Sequence, residues 1–303
     1  MTRPSFTVVI PTHRRPALLR QALASVAAQT LPPEQVVVVD DVGDEETRAV
    51  VMDFPGCEYA VGDRGRGGAG ARNAGAALAR GEWLAFLDDD DLWLPHKLEA
   101  VAAVIAAGPP DLGLVYSAAE QFDGATGATL SRSRPTARGR VLDEALYRNV
   151  VGGMSVAVIR RDVFEAAGGF DEAFPSLQDM ELYVRLAERC AFDFVDDVLV
   201  RFRVASHGRI TFDARKKLEG AKLFAAKYRR LIAASPRQRH RAAARVFLFA
   251  LSAGAHGEAL RSLPWTAAGL LVDPANVGYV VRGVASRART AVAGRAPRPA
   301  ASP

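Results

Sequence analysis

The run Val36-Val37-Val38-Val39 is β-branched at every position, carries no polar alternation and stops at Asp40-Asp41. Such residues favour a strand, and a strand without a polar face must be covered on both sides. A parallel sheet layered between helices meets that condition, so this one segment already argues for an α/β fold. Val8-Val9-Ile10, ended by Pro11, has the same form, and Trp83-Leu84-Ala85-Phe86-Leu87, apolar throughout though not β-branched, is ended by four aspartates at 88–91.

Helical spacing fills the intervals. Leu19, Leu23 and Val26 recur at three- and four-residue steps in 16–28, and Pro32-Pro33 stops them. A weak strand at 57–61, a Gly/Arg loop at 62–70 and a helix at 71–79 lead into the strand 82–87. Further on, the pattern predicts helices over 95–107, 161–167 and 180–190, and strands over 112–117, 155–160 and 192–204. The polar stretch 123–140 reads as a long loop. The alternation predicts a doubly wound, mostly parallel sheet flanked by helices, with ligands held in the crevice beyond the carboxyl ends of the strands. Asp40-Asp41 and the four aspartates both fall at such ends.

Charge divides the chain. Residues 1–208 carry 21 Lys and Arg against 30 Asp and Glu, whereas 209–303 carry 18 against 4. The sequence therefore predicts a catalytic or binding domain over 1–208, a basic helical extension over 209–286 and a disordered tail over 287–303, rich in Ala, Pro and Arg. Leu218, Ala221, Phe224, Tyr228 and Leu231 recur at helical spacing among lysines and arginines, and Arg237, Arg239, Arg241 and Arg245 precede Val246-Phe247-Leu248-Phe249. Cationic amphipathic helices of this kind suit the anionic inner face of the cell membrane, and equally a homodimer face. Nucleic acid is not expected, because no aromatic residues interleave the cations on a β-platform.

The apolar stretches 246–255 and 263–272 are about half the length of a membrane span. No secretory signal is read before Phe6, which predicts a cytoplasmic site of action. Cys57 and Cys190, the two cysteines, show neither a zinc nor a disulfide spacing.

Asp88 and Asp90 are the first candidates for chemistry. On an extended segment their two-residue spacing turns both carboxylates the same way, which suits a divalent cation that also holds a diphosphate; a helix cap or acidic turn is the equal alternative. Asp41 suits a base or ribose contact or an Asx-turn, and Arg64, Arg66 and Arg72 suit phosphates or solvent. Gly65-x-Gly67-x-x-Gly70 formally matches a dinucleotide fingerprint. Asp179, three residues after Ser176, reads as a capping box or a general base. His207 suits a metal or phosphate ligand or an exposed loop.

Six segments stand in one order: Val8-Val9-Ile10-Pro11-Thr12, Val39-Asp40-Asp41, Ala71-Arg72-Asn73-Ala74-Gly75, Phe86-Leu87-Asp88-Asp89-Asp90-Asp91, Gly168-Gly169-Phe170-Asp171-Glu172 and Gln178-Asp179. In this the chain resembles the family-2 glycosyltransferases over residues 5–205. The resemblance implies a GT-A fold and an inverting, hexosyltransferase-type reaction. A nucleotide-diphosphate sugar would be the donor, and a saccharide or lipid-linked hydroxyl, such as a polysaccharide precursor, the acceptor. It implies donor contacts from Pro11, Thr12, Arg14, Asp41, Arg72 and Asp89. Mn²⁺ or Mg²⁺ would sit on Asp88 and Asp90 with His207, and Asp179 would be the base. Gly153, Gly169, Phe170 and Asp171 would line the acceptor side. Val42-Gly43 replaces the family's Gly-Ser, and Gln178 replaces its Glu. The rival readings are an NAD-dependent enzyme built on the Gly65 to Gly70 loop and a non-catalytic carbohydrate- or membrane-binding protein.

Overall fold

A computed structural model describes residues 3–63, 65–204, 213–272 and 276–281. The elements run β1 (Phe6–Thr12), α1 (Pro16–Ala27), β2 (Gln35–Asp40), α2 (Glu45–Met52), β3 (Cys57–Val61), α3 (Gly67–Ala77), β4 (Trp83–Phe86), β5 (Leu92–Trp93) and α4 (Lys97–Ala107). They continue with β6 (Leu112–Asp123), β7 (Thr129–Ser133), α5 (Leu142–Tyr147), a 3₁₀ turn (Met154–Val156), β8 (Val158–Arg160), α6 (Arg161–Ala166), α7 (Gln178–Ala187) and β9 (Ala191–Val204). Four helices end the series: α8 (Ala214–Lys227), α9 (Arg229–Ala234), α10 (Pro236–Ser252) and α11 (His256–Val272). The chain forms two compact units, Met1–Ala173 with Gln178–Gly208, and Phe174–Leu177 with Arg209–Pro303.

In the first unit the sheet order is β3-β2-β1-β4-β8-β6-β9-β5, with β7 paired to β6. Strands β1, β2, β3, β4, β6 and β9 run one way, and β5, β7 and β8 oppose them. The fold is thus the mixed α/β, mostly parallel sheet expected from the valine run. Strands β1, β2 and β4 are buried at every position, since helices cover both faces. Gly75 allows one of these helices to approach: a Cβ there would lie 2.4 Å from Val9 Cγ1 and 3.1 Å from Val39 Cγ2.

Two expectations need correction. The stretch read as a loop over 123–140 contains half a hairpin, because β6 extends to Asp123 and β7 pairs back on it. Asp123 closes the turn by accepting from the Ala125 and Thr126 N–H groups. Helix α3 begins at Gly67, four residues before the expected start, and takes in the last four residues of the Gly/Arg segment.

In the second unit, Leu218, Ala221 and Phe224 of α8 and Tyr228 at its C-terminal end are buried, as are Ala244, Leu248 and Ala250 of α10. Leu218, Ala250 and Ala259 form a common cluster. The amphipathic faces assigned from sequence to lipid or a dimer contact are therefore largely spent on one another, with Leu231 left exposed. Arg241 and Arg245, expected on a cationic patch, are buried, with Arg241 over the Tyr279 ring at 4.1 Å and Arg245 over Phe224 at 4.9 Å. No described helix is long and apolar enough to cross a membrane.

Candidate active site

The order β3-β2-β1-β4 reverses direction of growth at β1, so a crevice opens beyond the carboxyl ends of β1 and its neighbours β2 and β4. Thr12 ends β1, Asp40 ends β2 with Asp41 directly after it, and the four aspartates follow β4. The fingerprint glycines instead follow β3, at the sheet edge, where a dinucleotide crevice is not formed. This leaves the NAD reading without its structural context.

The two aspartates after β2 divide their labour. Asp40, fully buried, accepts from the Val42 and Asp44 N–H groups and from the Tyr59 hydroxyl at 2.9 Å. It is the Asx-turn. Asp41 is turned elsewhere: Oδ2 lies 3.4 Å from His13 Nδ1, and Oδ1 is buried without a protein partner. A buried, unmatched acceptor of this kind is what a ligand N–H or hydroxyl would satisfy. Pro11 is buried in β1, and Arg14 is exposed at a left-handed φ of 52°, a conformation costly for arginine.

After β4 the chain turns at once. The Asp91 N–H donates to the Asp88 carbonyl, so the aspartates form a turn and the expected two-residue alternation of carboxylates does not hold. Asp88 pairs with the Arg72 guanidinium, while Asp89 and Asp90 share Arg15 at 3.4 and 3.3 Å. Asp89 also accepts from the Thr12 hydroxyl at 2.8 Å, so it faces the same cation as Asp90 instead of the opposite side. Asp91 is structural: its Oδ2 accepts from Ser155 Oγ at 2.7 Å and its Oδ1 from the Arg203 N–H. Ser155 Oγ in turn accepts from the Asp88 N–H.

Burial pushes the Asp89 carboxyl up to about 6, opposed by Thr12 and Arg15 and reinforced by Asp90 and Asp88. The turn sets four carboxylates against the guanidinium groups of Arg15 and Arg72. Hard carboxylate oxygens at such a place suit Mg²⁺ or Mn²⁺, which take one or two protein carboxylates and complete their shell with phosphate and water. Asp88 and Asp90 fit that donor set. Among the described residues, no three His, Cys, Asp or Glu side chains converge as a ready cage, and His207 and Arg64 lie outside those residues.

Arg72 joins this turn to the other side of the crevice. Burial disfavours its charge, but the Asp88 carboxylate overrides that and raises its pKa, with Asp179 adding to the effect. Its guanidinium carbon lies 5.6 Å from the Phe170 ring centroid. Asp179 stands in the first turn of α7, and burial raises its pKa against the Met180 N–H and Arg72. Its Oδ1 accepts from that N–H at 2.7 Å and its Oδ2 from Asn149 Nδ2 at 3.1 Å, a tertiary contact that a simple helix cap would not make.

The residues expected on the acceptor side are held by two side chains. Asn73 both accepts from the Phe170 N–H at 2.8 Å and donates to its carbonyl at 3.0 Å. Gly168 and Gly169 are left-handed at φ 83° and 66°, and a Cβ on Gly169 would lie 2.7 Å from Asn73 Oδ1. Arg185, on the same helix as Asp179, donates to the Ala167 and Gly169 carbonyls at 2.5 and 2.6 Å and is clamped by buried Glu181. Asp171 caps its own turn through the Ala173 N–H. Gly153 lies on the loop closed by Asn149, whose Oδ1 accepts from Val151 and Gly152. A Cβ on Gly153 would lie 3.1 Å from the Phe202 ring.

Sequence reasoning missed Arg15, Asn149, Ser155 and Tyr183. Burial and Asp179 raise the Tyr183 pKa well above its ordinary value, and its hydroxyl donates to Met154 Sδ. No periodicity or charge run marks these four.

Residues 7–168 match the glycosyl transferase family 2 model. A Haemophilus influenzae protein described as an uncharacterized glycosyltransferase is 30% identical over 188 residues, which cover 61% of this chain and 63% of that protein. Validoxylamine A glucosyltransferase of Streptomyces hygroscopicus subsp. limoneus is 40% identical over 126 residues, 40% of this chain and 28% of that protein. The chain therefore spans less than two thirds of these relatives. Among solved structures, S. aureus TarS 1–349 in complex with UDP-GlcNAc superposes with a TM-score of 0.64 at 18% identity, covering 82% of this chain and 73% of that one. The mannosyltransferase PcManGT of Pyrobaculum calidifontis, in complex with GDP-Man and Mn²⁺, gives 0.59 at 22% identity, covering 94% and 85%.

Proposed function

The chain belongs to glycosyl transferase family 2, and from that premise we propose an inverting hexosyl transfer from a nucleotide-diphosphate sugar to a hydroxyl of a saccharide or lipid-linked acceptor. The observation that carries this reading is the counter-ion shared by two sides of one crevice: Arg72 pairs with Asp88 and also acts on Asp179. An inverting displacement calls for a proton acceptor on one side and charge stabilisation on the other. The acceptor oxygen attacks the anomeric carbon on one face, the bond to the diphosphate oxygen breaks on the other, and the acceptor proton must leave.

Asp179 is the base in this reading. Its raised pKa makes it a stronger proton acceptor than a solvated aspartate, and Asn149 orients it. Asp41, with Pro11, Thr12 and Arg14 beside it, meets the nucleoside, and Arg72 the diphosphate. Asp88 and Asp90 hold a divalent ion, with His207 in the expected ligand set, and Asp89 is held for the donor by Thr12. That ion would supply charge stabilisation to the departing diphosphate. Gly153, Gly169, Phe170 and Asp171 shape the acceptor wall. Solved proteins of similar fold, in complex with UDP-GlcNAc or with GDP-Man and Mn²⁺, support a donor and metal of these classes. Residues 1–208 form the transferase domain and 209–286 a basic extension, working in the cytoplasm.

A panel of nucleotide sugars, scored by release of nucleoside diphosphate with Mn²⁺ or Mg²⁺, tests the proposal. Asp179→Asn is expected to lower kcat by about a hundredfold to ten-thousandfold while donor binding persists. Undiminished transfer in that variant would remove Asp179 as base, and donor release with retained anomeric configuration in the product would remove inversion.

A further inference from the structure

Among the described residues, the helices of the second unit leave an apolar face open. On α11, Leu260 is 67% exposed, Leu263 42%, Leu270 36% and Leu271 91%, and Ala267 between them is exposed as well. These positions are spaced i, i+3, i+7, i+10 and i+11. At 3.6 residues per turn they fall within a sector of about 100°, and they extend for roughly 17 Å along the helix. Scattered surface leucines need no explanation, but an aligned stripe does.

We infer that this stripe of α11 is a membrane-docking face that lies in the plane of an anionic lipid surface, with the exposed cations of the same unit meeting the headgroups. Charge decides between the possible occupants. Residues 209–303 carry 18 Lys and Arg against 4 Asp and Glu. Lys216, Lys222, Lys227, Arg229, Arg230 and Arg239 are exposed. A second copy packed on this face through a two-fold axis would set one strongly cationic unit against another, which opposes association. Nucleic acid would satisfy the cations and leave the leucines in water. An anionic bilayer satisfies both, because acyl chains take the leucines and headgroups take the lysines and arginines. No described helix can span, so the contact is with one leaflet.

The inference also reassigns the lipid contact from α8 and α10, which bury Leu218, Phe224 and Leu248 and leave only Leu223 and Leu251 exposed among their large apolar residues, to α11. It does not depend on the chemistry proposed for the first unit, and its test involves no turnover. Flotation of the full chain is measured with phosphatidylcholine vesicles and with phosphatidylcholine/phosphatidylglycerol vesicles at low and high salt. The chain should float with the anionic vesicles at low salt and be released by salt. Leu260→Glu with Leu271→Glu, at two side chains outside the packed core, should lower partitioning about a hundredfold, the order expected for removing two leucines from a lipid contact. Arg229→Glu with Arg230→Glu should weaken binding to anionic vesicles alone. Failure of the parent chain to float at low salt, or full flotation of the leucine variant, would overturn the inference. So would a dimer in light scattering that the same leucine substitutions dissolve.

Discussion

Lys97 is the first residue of α4 and is fully buried. Its Nζ donates to the Val156 carbonyl at 3.0 Å and lies 5.1 Å from the Trp93 ring, and burial lowers its pKa from 10.5 to about 7. The helix N-terminus also disfavours a cation there. Below pH 7 the lysine is protonated in both folded and unfolded chains, and above pH 10.5 in neither. Between those values the unfolded chain alone holds the proton, so this group makes stability rise with pH. The slope approaches 1.4 kcal/mol per pH unit, accumulating to roughly 3 kcal/mol between pH 7 and 9.5.

The parent curve alone mixes opposing terms. Burial raises the Cys190 thiol to about 12 and moves Tyr59 upward as well, so both keep protons in the fold that the unfolded chain loses, and their contribution falls with pH. Subtracting the urea-unfolding curve of Lys97→Met cancels these groups. The difference should be flat below pH 7 and then move by about 3 kcal/mol in favour of the parent by pH 9.5. A difference constant to within about 0.5 kcal/mol over that window would show that Lys97 stays charged in the fold, and the argument would fail.

Three further outcomes are expected. Asn149→Ala removes a donor to Asp179 Oδ2; carboxylate ionisation becomes harder, so the acid limb of kcat/KM, read in a pH profile, should move to higher pH. Asn73→Ala strips Phe170 of partners for both its N–H and its C=O, and urea titration should show a loss of about 1–3 kcal/mol. Arg185→Met leaves Glu181 buried without its guanidinium, for an expected loss of about 3–5 kcal/mol in the same assay.

The central sheet was legible because β1, β2 and β4 are buried on both faces, and only uninterrupted apolar runs satisfy that condition. The hairpin of β6 and β7 was not, since β7 is exposed at all five positions and so has no apolar side to betray it. The C-terminal helices show the converse error. Their amphipathic spacing is real, yet spacing cannot say whether an apolar face meets lipid or a neighbouring helix. Here α8 and α10 meet one another's side chains, and the open face lies on α11, where leucines are mixed with Ala and Gly.

The site was legible in its acids and opaque in what holds them. Four aspartates after a buried strand announce unbalanced charge, but the balance is struck by Arg15, just before α1, and Arg72, on α3, at 73 and 16 residues' remove from Asp88. Arg72 stands in a segment that marks it for a donor, though not for Asp88, and nothing local distinguishes Arg15 from an exposed arginine such as Arg48. The consequence is mechanistic. Asp88 is held by a buried guanidinium before any donor arrives, and that cation also acts on Asp179. A diphosphate or a divalent ion entering beside Asp88 must share or displace Arg72, and either change alters the field at Asp179. With Asp179 as the proposed base and the donor diphosphate proposed beside Asp88, donor binding and base strength would be coupled through one side chain. Arg72→Lys, which keeps the charge but loses the planar fork, should weaken donor binding and shift the acid limb of kcat together. An effect on donor binding alone would show that the two sides of the crevice act independently.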